Sequence, residues 1–245
     1  TSMSSKLIGP EHDLFATMCV KAVQHVRVTT GKVPIKNINI AMAHGKSTLD
    51  SVFFDGYVLR MSRVSQQMPI RVDNPVIACL DFNLNKFRLA MGVQVLVNDP
   101  KNLEKIRKRE MDILKERLDL IIGAGVNVIF TTLAIDDCAS KYLVTKGIMG
   151  LRRVDKHELR RIAKSTGATI VKTLANNDGT ESFDASLTGK AKAVYEKNLG
   201  DVDYIFLEGP ANTKNKVCSL VLRGANEYML EEVDRSIHDS LCALK

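Results

Sequence analysis

Apolar residues recur at three- and four-residue steps in five segments, the spacing that gives a helix one buried face. The predicted helices cover residues 11–26, 99–122, 136–144, 155–165 and 231–245. Continuous or alternating apolar runs predict strands instead. These lie at residues 38–43, 76–81, 92–97, 126–131, 148–152, 168–173, 203–208 and 217–223. Residues 49–60 predict two further strands joined by a turn at Asp55-Gly56, whereas residues 175–202 are expected to be irregular.

Strands and helices alternate from residue 126 onward, with a new strand about every 20 residues. This order predicts a βαβαβ unit with a parallel sheet and right-handed crossovers. A polar hinge at residues 65–69 and a loop at residues 209–216 bracket the unit. The N-terminal helix and strands would then pack with the C-terminal strand and helix, so the predicted topology is one α/β domain inserted into another.

The predicted helix at residues 99–122 differs from the others in its charge. Asp99-Pro100 combines an N-cap residue with proline at the first helical position. Many charges follow, and only a thin apolar stripe runs through Leu103, Ile106, Ile113/Leu114, Leu118 and Ile121. Such a helix is expected to pack weakly on its domain and to project from it.

Composition narrows the classes of protein to consider. The chain has 245 residues, 45% of them hydrophobic, which is enough for one large or two modest domains. The net charge of +7 would permit nucleic-acid binding, but basic and acidic residues alternate, as at residues 105–117, which is typical of solvated helix faces. Five scattered cysteines without a CxxC pair argue against a disulfide framework and a zinc site. A reducing compartment such as the cytosol is therefore expected.

Signatures of a self-contained enzyme are mostly missing. The turn at residues 131–136 holds no glycine, which a dinucleotide-binding turn needs for the backbone to approach a pyrophosphate. Gly45-Lys46-Ser47 ends like a phosphate-binding loop but lacks the first glycine at the required spacing, so alone it is weak support for a phosphate site. The five histidines form no HExxH-like pair.

One carboxylate in the C-terminal helix is a candidate for chemistry. The predicted buried stripe of that helix runs through Val233, Ile237, Leu241 and Leu244. Asp239 lies two positions beyond Ile237, about 200° round the helix, and is expected to face away from the stripe. This position fits an ordinary solvated carboxylate as well as a catalytic one.

Short motifs occur in order along the whole chain. They are Ser-Met-Ser-Ser-Lys (2–6), Gln-Met-Pro (67–69), Ala-Cys-Leu-Asp (78–81), Ile-Asp-Asp (135–137), Gly-Ile-Met-Gly-Leu-Arg-Arg (147–153), Arg-Gly-Ala-Asn (223–226) and Ser-Ile-His-Asp-Ser-Leu (236–241). This ordered set resembles the middle of a group II chaperonin subunit, of the kind that builds the eukaryotic cytosolic ring complex TRiC.

The resemblance implies an α/β fold in which an apical chaperonin-type β/α domain is inserted into a smaller α/β intermediate domain. The intermediate domain would take residues 1–66 and 215–245, and the apical, substrate-binding domain would take residues 67–214. The helix at residues 99–122 would be a helical lid protrusion. The equatorial ATP-binding domain is expected to be absent, so that the chain would be a fragment of a longer one.

The resemblance also implies a function. The chain would be the substrate-binding and ATP-coupling part of an ATP-dependent molecular chaperone that folds cytosolic proteins in a double-ring chaperonin. Its partners would be unfolded or partly folded polypeptides and the other subunits of a hetero-oligomeric ring, with no membrane and no nucleic acid. ATP and Mg are the cofactors expected of the full-length subunit. No cofactor and no metal site are expected of this chain, which alone would neither bind nor hydrolyse ATP.

Functional positions of the family carry over onto matching residues. The aspartate that matches Asp239 positions or activates the water that attacks the γ-phosphate, and the lysine that matches Lys6 senses that phosphate. Client binding is placed between an apical helix and a neighbouring loop. The matching residues are Asn85, Lys86, Phe87 and Arg88 on the loop, and Ser140, Lys141, Val144 and Thr145 on the helix. Their polar and basic character implies partly electrostatic capture, although they would also fit an ordinary surface. Tyr142 and Leu143 are expected in the core.

Two other functions remain as alternatives. A small-molecule enzyme on a doubly wound α/β sheet would need a phosphate loop or a convergent polar pocket at the strand ends, and the sequence offers neither. A basic interaction or nucleic-acid-binding scaffold would bind arbitrary DNA or RNA with steep salt dependence.

Overall fold

A computed structural model of the protein describes residues 12–28, 31, 33–86, 100–176 and 178–244. The helices among these residues are α1 (His12–Val26), α2 (Pro100–Gly123), α3 (Asp137–Thr145), α4 (Lys156–Thr166) and α5 (Glu227–Ala243). The strands are β1 (Ile38–His44), β2 (Val52–Phe54), β3 (Gly56–Leu59), β4 (Arg71–Asp73), β5 (Val76–Leu80), β6 (Val128–Thr131), β7 (Met149–Leu151), β8 (Ile170–Val171), β9 (Gly189–Leu199), β10 (Val202–Pro210) and β11 (Cys218–Gly224).

The five predicted helices are confirmed within the described residues. The last one begins at Glu227 rather than at residue 231, because Asn226 caps it by accepting a hydrogen bond from the backbone N–H of Met229 at 2.7 Å. The predicted strand at residues 92–97 and the predicted N-cap Asp99 lie outside the described residues.

One compact unit comprises the described residues of 1–62, 164–167 and 190–245. Its first sheet has the order β1-β11-β2, with β11 parallel to β1 and antiparallel to β2. An antiparallel ladder joins β3, β10 and β9 in the same unit. Helices α1 and α5 pack on β11 and on each other. The core that they share includes Phe15, Met18, Leu220, Leu222, Val233 and Ile237.

The two strands predicted within residues 49–60 are present but do not form the expected hairpin. Instead, β2 pairs with β11, whereas β3 pairs with β10. Gly56 makes this change of partner possible, because its φ of 146° is a conformation that L side chains rarely adopt. A Cβ atom there would lie 2.0 Å from the backbone oxygen of Leu207. The Asp55-Gly56 step therefore redirects the chain between two ladders.

Residues 175–202 were expected to be irregular, and this prediction is wrong. They contain the eleven-residue strand β9, which pairs with β10 from Leu199 opposite Val202 to Ala191 opposite Pro210. At its start, buried Ala191 and Ala193 alternate with exposed Lys190 and Lys192. Alanine and lysine are weak strand formers, so this alternation hardly registers as a strand in the sequence.

The other compact unit comprises the described residues of 63–163 and 168–189. Its parallel sheet has the order β8-β5-β6-β7, which confirms the predicted parallel α/β unit, although β8 is only two residues long. Helices α2 and α3 contribute to one core with this sheet. The core includes Leu80, Leu118, Ile121, Ile129, Ala139 and Leu143.

The compact units and the predicted domains divide the chain at different residues, and the predicted domain boundaries stay predictions. The first junction, at residues 62–63, lies close to the predicted 66–67, but the second unit ends at residue 189 rather than 214. The physical reason is that β9 and β10 form a ladder with β3, so the chain from residue 190 onward packs in the first unit. The short segment at residues 164–167 also belongs to the first unit.

Helix α2 packs along only part of its length. With 24 residues it is about 36 Å long. Leu114, Leu118 and Ile121 are buried, whereas Leu103 and Met111 are exposed. Weak packing is therefore confirmed for the first half of the helix, while the second half is an ordinary part of the core.

All five cysteines are free, and their burial predicts their reactivity. Burial raises the pKa of Cys79 and of Cys218 to about 12, so both thiols are protonated and poorly nucleophilic at neutral pH. We expect iodoacetamide to modify exposed Cys242 in the native protein and to spare these two until it unfolds. Mass spectrometry of tryptic peptides measures this, and rapid native labelling of Cys79 would contradict the packing.

Candidate functional site

Helix α5 is fixed by a continuous buried face. Leu230, Val233, Ile237 and Leu241 are each at most 3% exposed and belong to the core of the first unit. Leu244 was predicted to continue this stripe, and that prediction is wrong, since its side chain is 44% exposed. Leu244 is the C-cap residue, so it lies beyond the last residue of the helix.

Asp239 lies on the exposed side of α5, and its predicted orientation is confirmed. Two serines on the buried side of α5 form hydrogen bonds to backbone carbonyls of the same helix. The Ser236 hydroxyl donates to the Glu232 carbonyl at 2.7 Å, and the Ser240 hydroxyl donates to the Ser236 carbonyl at 2.8 Å. These serines therefore do not disturb the packing of α5 on the core. Asp239 lies on a helix that its buried face holds in place.

Helix α5 carries charges of both signs in the two turns that contain Asp239. Burial raises the pKa of Asp234, and the charges of His238 and Arg235 only partly offset that rise. His238 is exposed, and its Nε2 lies 3.7 Å from the Cys242 sulfur. Within the described part of the chain, no three His, Cys, Asp or Glu side chains converge to hold a metal. An exposed carboxylate on a rigid helix can orient or deprotonate a water molecule that another domain binds.

The loop after β5 is fastened to the segment that leads into α3. The backbone N–H of Leu84 donates to the carbonyl of Ala134 at 3.0 Å, and the N–H of Asp136 donates to the carbonyl of Leu84 at 3.1 Å. Asn83 adds a side-chain bond by accepting from the Ala134 N–H at 3.2 Å. Because Asp136 is the N-cap of α3, these bonds hold the loop beside the first turn of that helix.

Of the predicted client-binding residues, Asn85 and Lys86 lie at this junction, whereas Lys141, Val144 and Thr145 lie farther along α3. Asn85 and Lys86 follow Leu84 directly and are half-buried. On α3, Lys141 and Thr145 are exposed and Val144 is half-buried. Ser140 differs, because it is only 8% exposed and offers little surface to a ligand. The accessible part of the predicted set is therefore a basic and polar strip with one apolar member.

Tyr142 connects α3 to α2, a role that the sequence did not indicate. It was expected in the core together with Leu143. Leu143 is fully buried, but Tyr142 is half-buried, and its hydroxyl donates to Asp119 of α2 at 2.6 Å. This hydrogen bond raises the pKa of Tyr142. The Lys146 ammonium lies 5.5 Å from the centroid of the Tyr142 ring, which is a cation–π contact within α3 and its C-cap.

Three of the predicted site residues lie outside the described residues. They are Lys6, predicted to sense a γ-phosphate, and Phe87 and Arg88 of the client-binding loop. Their assignments stay predictions. Among the described helices, none has the length and apolar character that crossing a bilayer requires.

Comparisons with known proteins agree on one family. The sequence profile of the TCP-1/cpn60 chaperonin family matches residues 1–245. T-complex protein 1 subunit alpha of Tetrahymena pyriformis is 58% identical over 250 residues, which cover 100% of this chain and 45% of that protein. The same subunit of Arabidopsis thaliana is 51% identical over 249 residues, with the same coverage of both chains.

A solved structure shows the same fold. It is the open-state monomer of a group II chaperonin from Methanococcoides burtonii, with a TM-score of 0.75 and 27% sequence identity. The match covers 98% of this chain and 53% of that one. The chain thus spans about half the length of the relatives that it matches.

Proposed function

Because the chain belongs to the TCP-1/cpn60 chaperonin family, we propose that it is the client-binding and ATP-coupling part of a cytosolic, ATP-dependent chaperone. In this proposal the complete subunit folds cytosolic proteins within a hetero-oligomeric double ring. The observation that carries it is the position of Asp239, an exposed carboxylate on a helix whose opposite face is buried along its length.

We propose that Asp239 orients or activates the water that attacks the γ-phosphate of ATP held by another domain of the complete subunit. Hydrolysis by in-line attack needs a group that positions the water, and a carboxylate is suited to that task. Mg accompanies the nucleotide, and Lys6 contributes an ammonium that senses the γ-phosphate. Turnover of ATP by this chain alone would contradict the proposed division of roles.

We propose that clients bind along the strip formed by Asn85, Lys86, Lys141, Val144 and Thr145. The hydrogen bonds of Leu84 support this proposal, because they fix the loop and helix α3 relative to each other before any client arrives. A preformed surface loses less conformational entropy on binding than a flexible one. Two lysines in the strip favour acidic stretches of an unfolded polypeptide.

Reversing both charges of the strip tests this surface. We expect Lys86→Glu/Lys141→Glu to weaken binding of an acidic, chemically unfolded client about fivefold, since two partly exposed ion pairs are each worth less than about 1 kcal/mol. Fluorescence anisotropy of a labelled client measures the affinity, and higher salt should reduce the difference between variants.

The matched control is Lys164→Glu, which reverses an exposed lysine of the last turn of α4 outside the strip. It should bind the client as the unchanged protein does. Equal weakening by the control, or none by the double variant, would remove the strip as the client surface while leaving the role of Asp239 untouched.

A further inference from the structure

A cleft of 430 Å³ opens in the first compact unit, and neither Asp239 nor any residue of the client strip lines it. Basic residues Lys46, Lys197 and Arg223 line it, and so do the aromatic residues Phe54, Tyr195 and Phe206. We name it the Arg223 cleft. Its volume falls within the range of small-molecule sites, roughly 300–1,000 Å³.

Arg223 is the feature that points to a ligand. It lies in β11, its side chain is only 5% exposed, and its Nη1 is buried without a hydrogen-bond partner in the described chain. The backbone N–H of Arg223 donates a hydrogen bond to the Ser51 hydroxyl at 3.0 Å. The donor that lacks a partner therefore belongs to the guanidinium group. A buried donor of a charged group that lacks a hydrogen-bond partner is destabilising, and an anion in the cleft would satisfy it.

Two further cations line the cleft from separate parts of the chain, Lys46 from the loop after β1 and Lys197 from strand β9. Lys46 has a φ of 68°, and the preceding Gly45 is held by a backbone bond from its N–H to the Gly224 carbonyl at 2.9 Å. At Gly200, a Cβ atom would lie 2.7 Å from the His44 carbonyl oxygen, so the loop before Lys46 and the turn after β9 approach closely. Lys197 is exposed near the end of β9.

The charge balance favours an anion. Asp50 is the single carboxylate among the lining residues, against three cations, and it already accepts a hydrogen bond from the Ser47 N–H at 3.2 Å. The net charge of the lining is therefore positive. Gly45-Lys46-Ser47, the tripeptide that resembles the end of a phosphate loop, supplies one of these cations.

Three aromatic residues form another part of the lining. Tyr195 and Phe206 stack with ring centroids 5.4 Å apart and an interplanar angle of 3°, and Phe54 meets Phe206 edge-on at 5.1 Å. Such a cluster is rigid and provides contact area for an apolar or planar group at low entropic cost. The cleft thus combines a basic part with an apolar part.

We propose that the Arg223 cleft binds a small organic oxyanion, with a phosphate or carboxylate group near Arg223, Lys46 and Lys197 and an apolar body against the aromatic cluster. The shared chemistry of the two head groups is a set of acceptor oxygens with negative charge. This site is independent of the proposed ATP-coupling role.

Calorimetric titration and saturation-transfer NMR at low salt test the proposal with four probes. Phenyl phosphate and benzoate carry both required groups, inorganic phosphate lacks the apolar body, and benzyl alcohol lacks the charge. We expect phenyl phosphate or benzoate to bind saturably and at least about tenfold more tightly than the other two. Benzyl alcohol lacks the hydrogen bonds to a charged group, and inorganic phosphate lacks the buried apolar ring. The tighter of the pair identifies the head group.

Variants locate the binding. Arg223→Met removes the buried charge at similar volume and should weaken the preferred probe at least about tenfold. Lys46→Gln and Lys197→Gln change exposed residues, and each should weaken it about threefold. If Arg223→Met does not fold, these two lysine variants still test the assignment. Lys190→Gln, on the same strand as Lys197 but outside the cleft, is the control and should change nothing.

Several outcomes would overturn the assignment. No saturable binding of phenyl phosphate or benzoate would do so, as would equal affinity for benzyl alcohol or for inorganic phosphate. The anion would bind elsewhere on the basic surface if Lys46→Gln and Lys197→Gln left the affinity for the preferred probe unchanged. The same conclusion would follow if Lys190→Gln weakened binding as much as they do.

Discussion

Alanine in place of Asp239 is expected to stop ATP hydrolysis by the complete subunit while leaving ATP affinity nearly unchanged. The side chain lies on the exposed face of α5, so its loss leaves the buried face intact. Removing a group that orients or deprotonates the attacking water typically lowers the rate by a factor of about 100 to 10,000. Single-turnover release of phosphate measures hydrolysis, and equilibrium titration with a fluorescent nucleotide measures binding.

Two companion variants sharpen that result. Asp239→Asn keeps the shape and one acceptor oxygen but cannot take a proton, so residual activity above Asp239→Ala would indicate that orienting the water contributes separately. Glu231→Ala removes another exposed carboxylate of α5 and should hydrolyse ATP normally. Unchanged turnover in Asp239→Ala would refute the proposed role.

Gly56→Ala is expected to destabilise the first compact unit by about 3 kcal/mol or more, because a strained backbone conformation and a steric clash act together. The φ of 146° is rarely open to L residues, and the new methyl carbon would lie 2.0 Å from the Leu207 carbonyl oxygen. That oxygen belongs to β10, which pairs with β3 from Gly56 to Leu59. Relief of the clash requires the ladder to open.

Urea unfolding monitored by circular dichroism measures this loss as a lower midpoint. Gly123→Ala serves as the control, because Gly123 lies in a helix, has no positive φ and has open space around its Cβ position. The control should be neutral or stabilise by less than about 1 kcal/mol. Similar midpoints for the two variants would show that the Asp55-Gly56 step is not confined as described.

Helical periodicity is the property that the sequence predicted best. It placed α1, α3 and α4 to within a residue or two and oriented Asp239 correctly, because a side chain's direction on a helix depends only on local spacing. The strands show the limit of this reasoning. The alternation of alanine and lysine in β9 gives no strong local signal, and its conformation depends on pairing with β10.

Which strands pair with each other could not be predicted from the local sequence pattern. A turn between two short strands favours a hairpin, yet β2 and β3 join different ladders because β10 and β11 supply longer apolar partners from the far end of the chain. Arg223 is a similar case. Nothing near it in sequence marks a basic cleft, since Lys46 and Lys197 approach it only through tertiary packing. The one local sign was the incomplete phosphate-loop tripeptide.

The central strand of the first sheet also has a consequence for synthesis on the ribosome. β11 lies between β1 and β2, and it provides Leu220 and Leu222 to the core beneath α1. A growing chain therefore carries α1 and β1 without their apolar cover until residues 218–224 have emerged. The unit that begins at residue 63 has all its sheet strands much earlier. Contacts of such large sequence separation form late and leave apolar surface exposed to aggregation in the meantime.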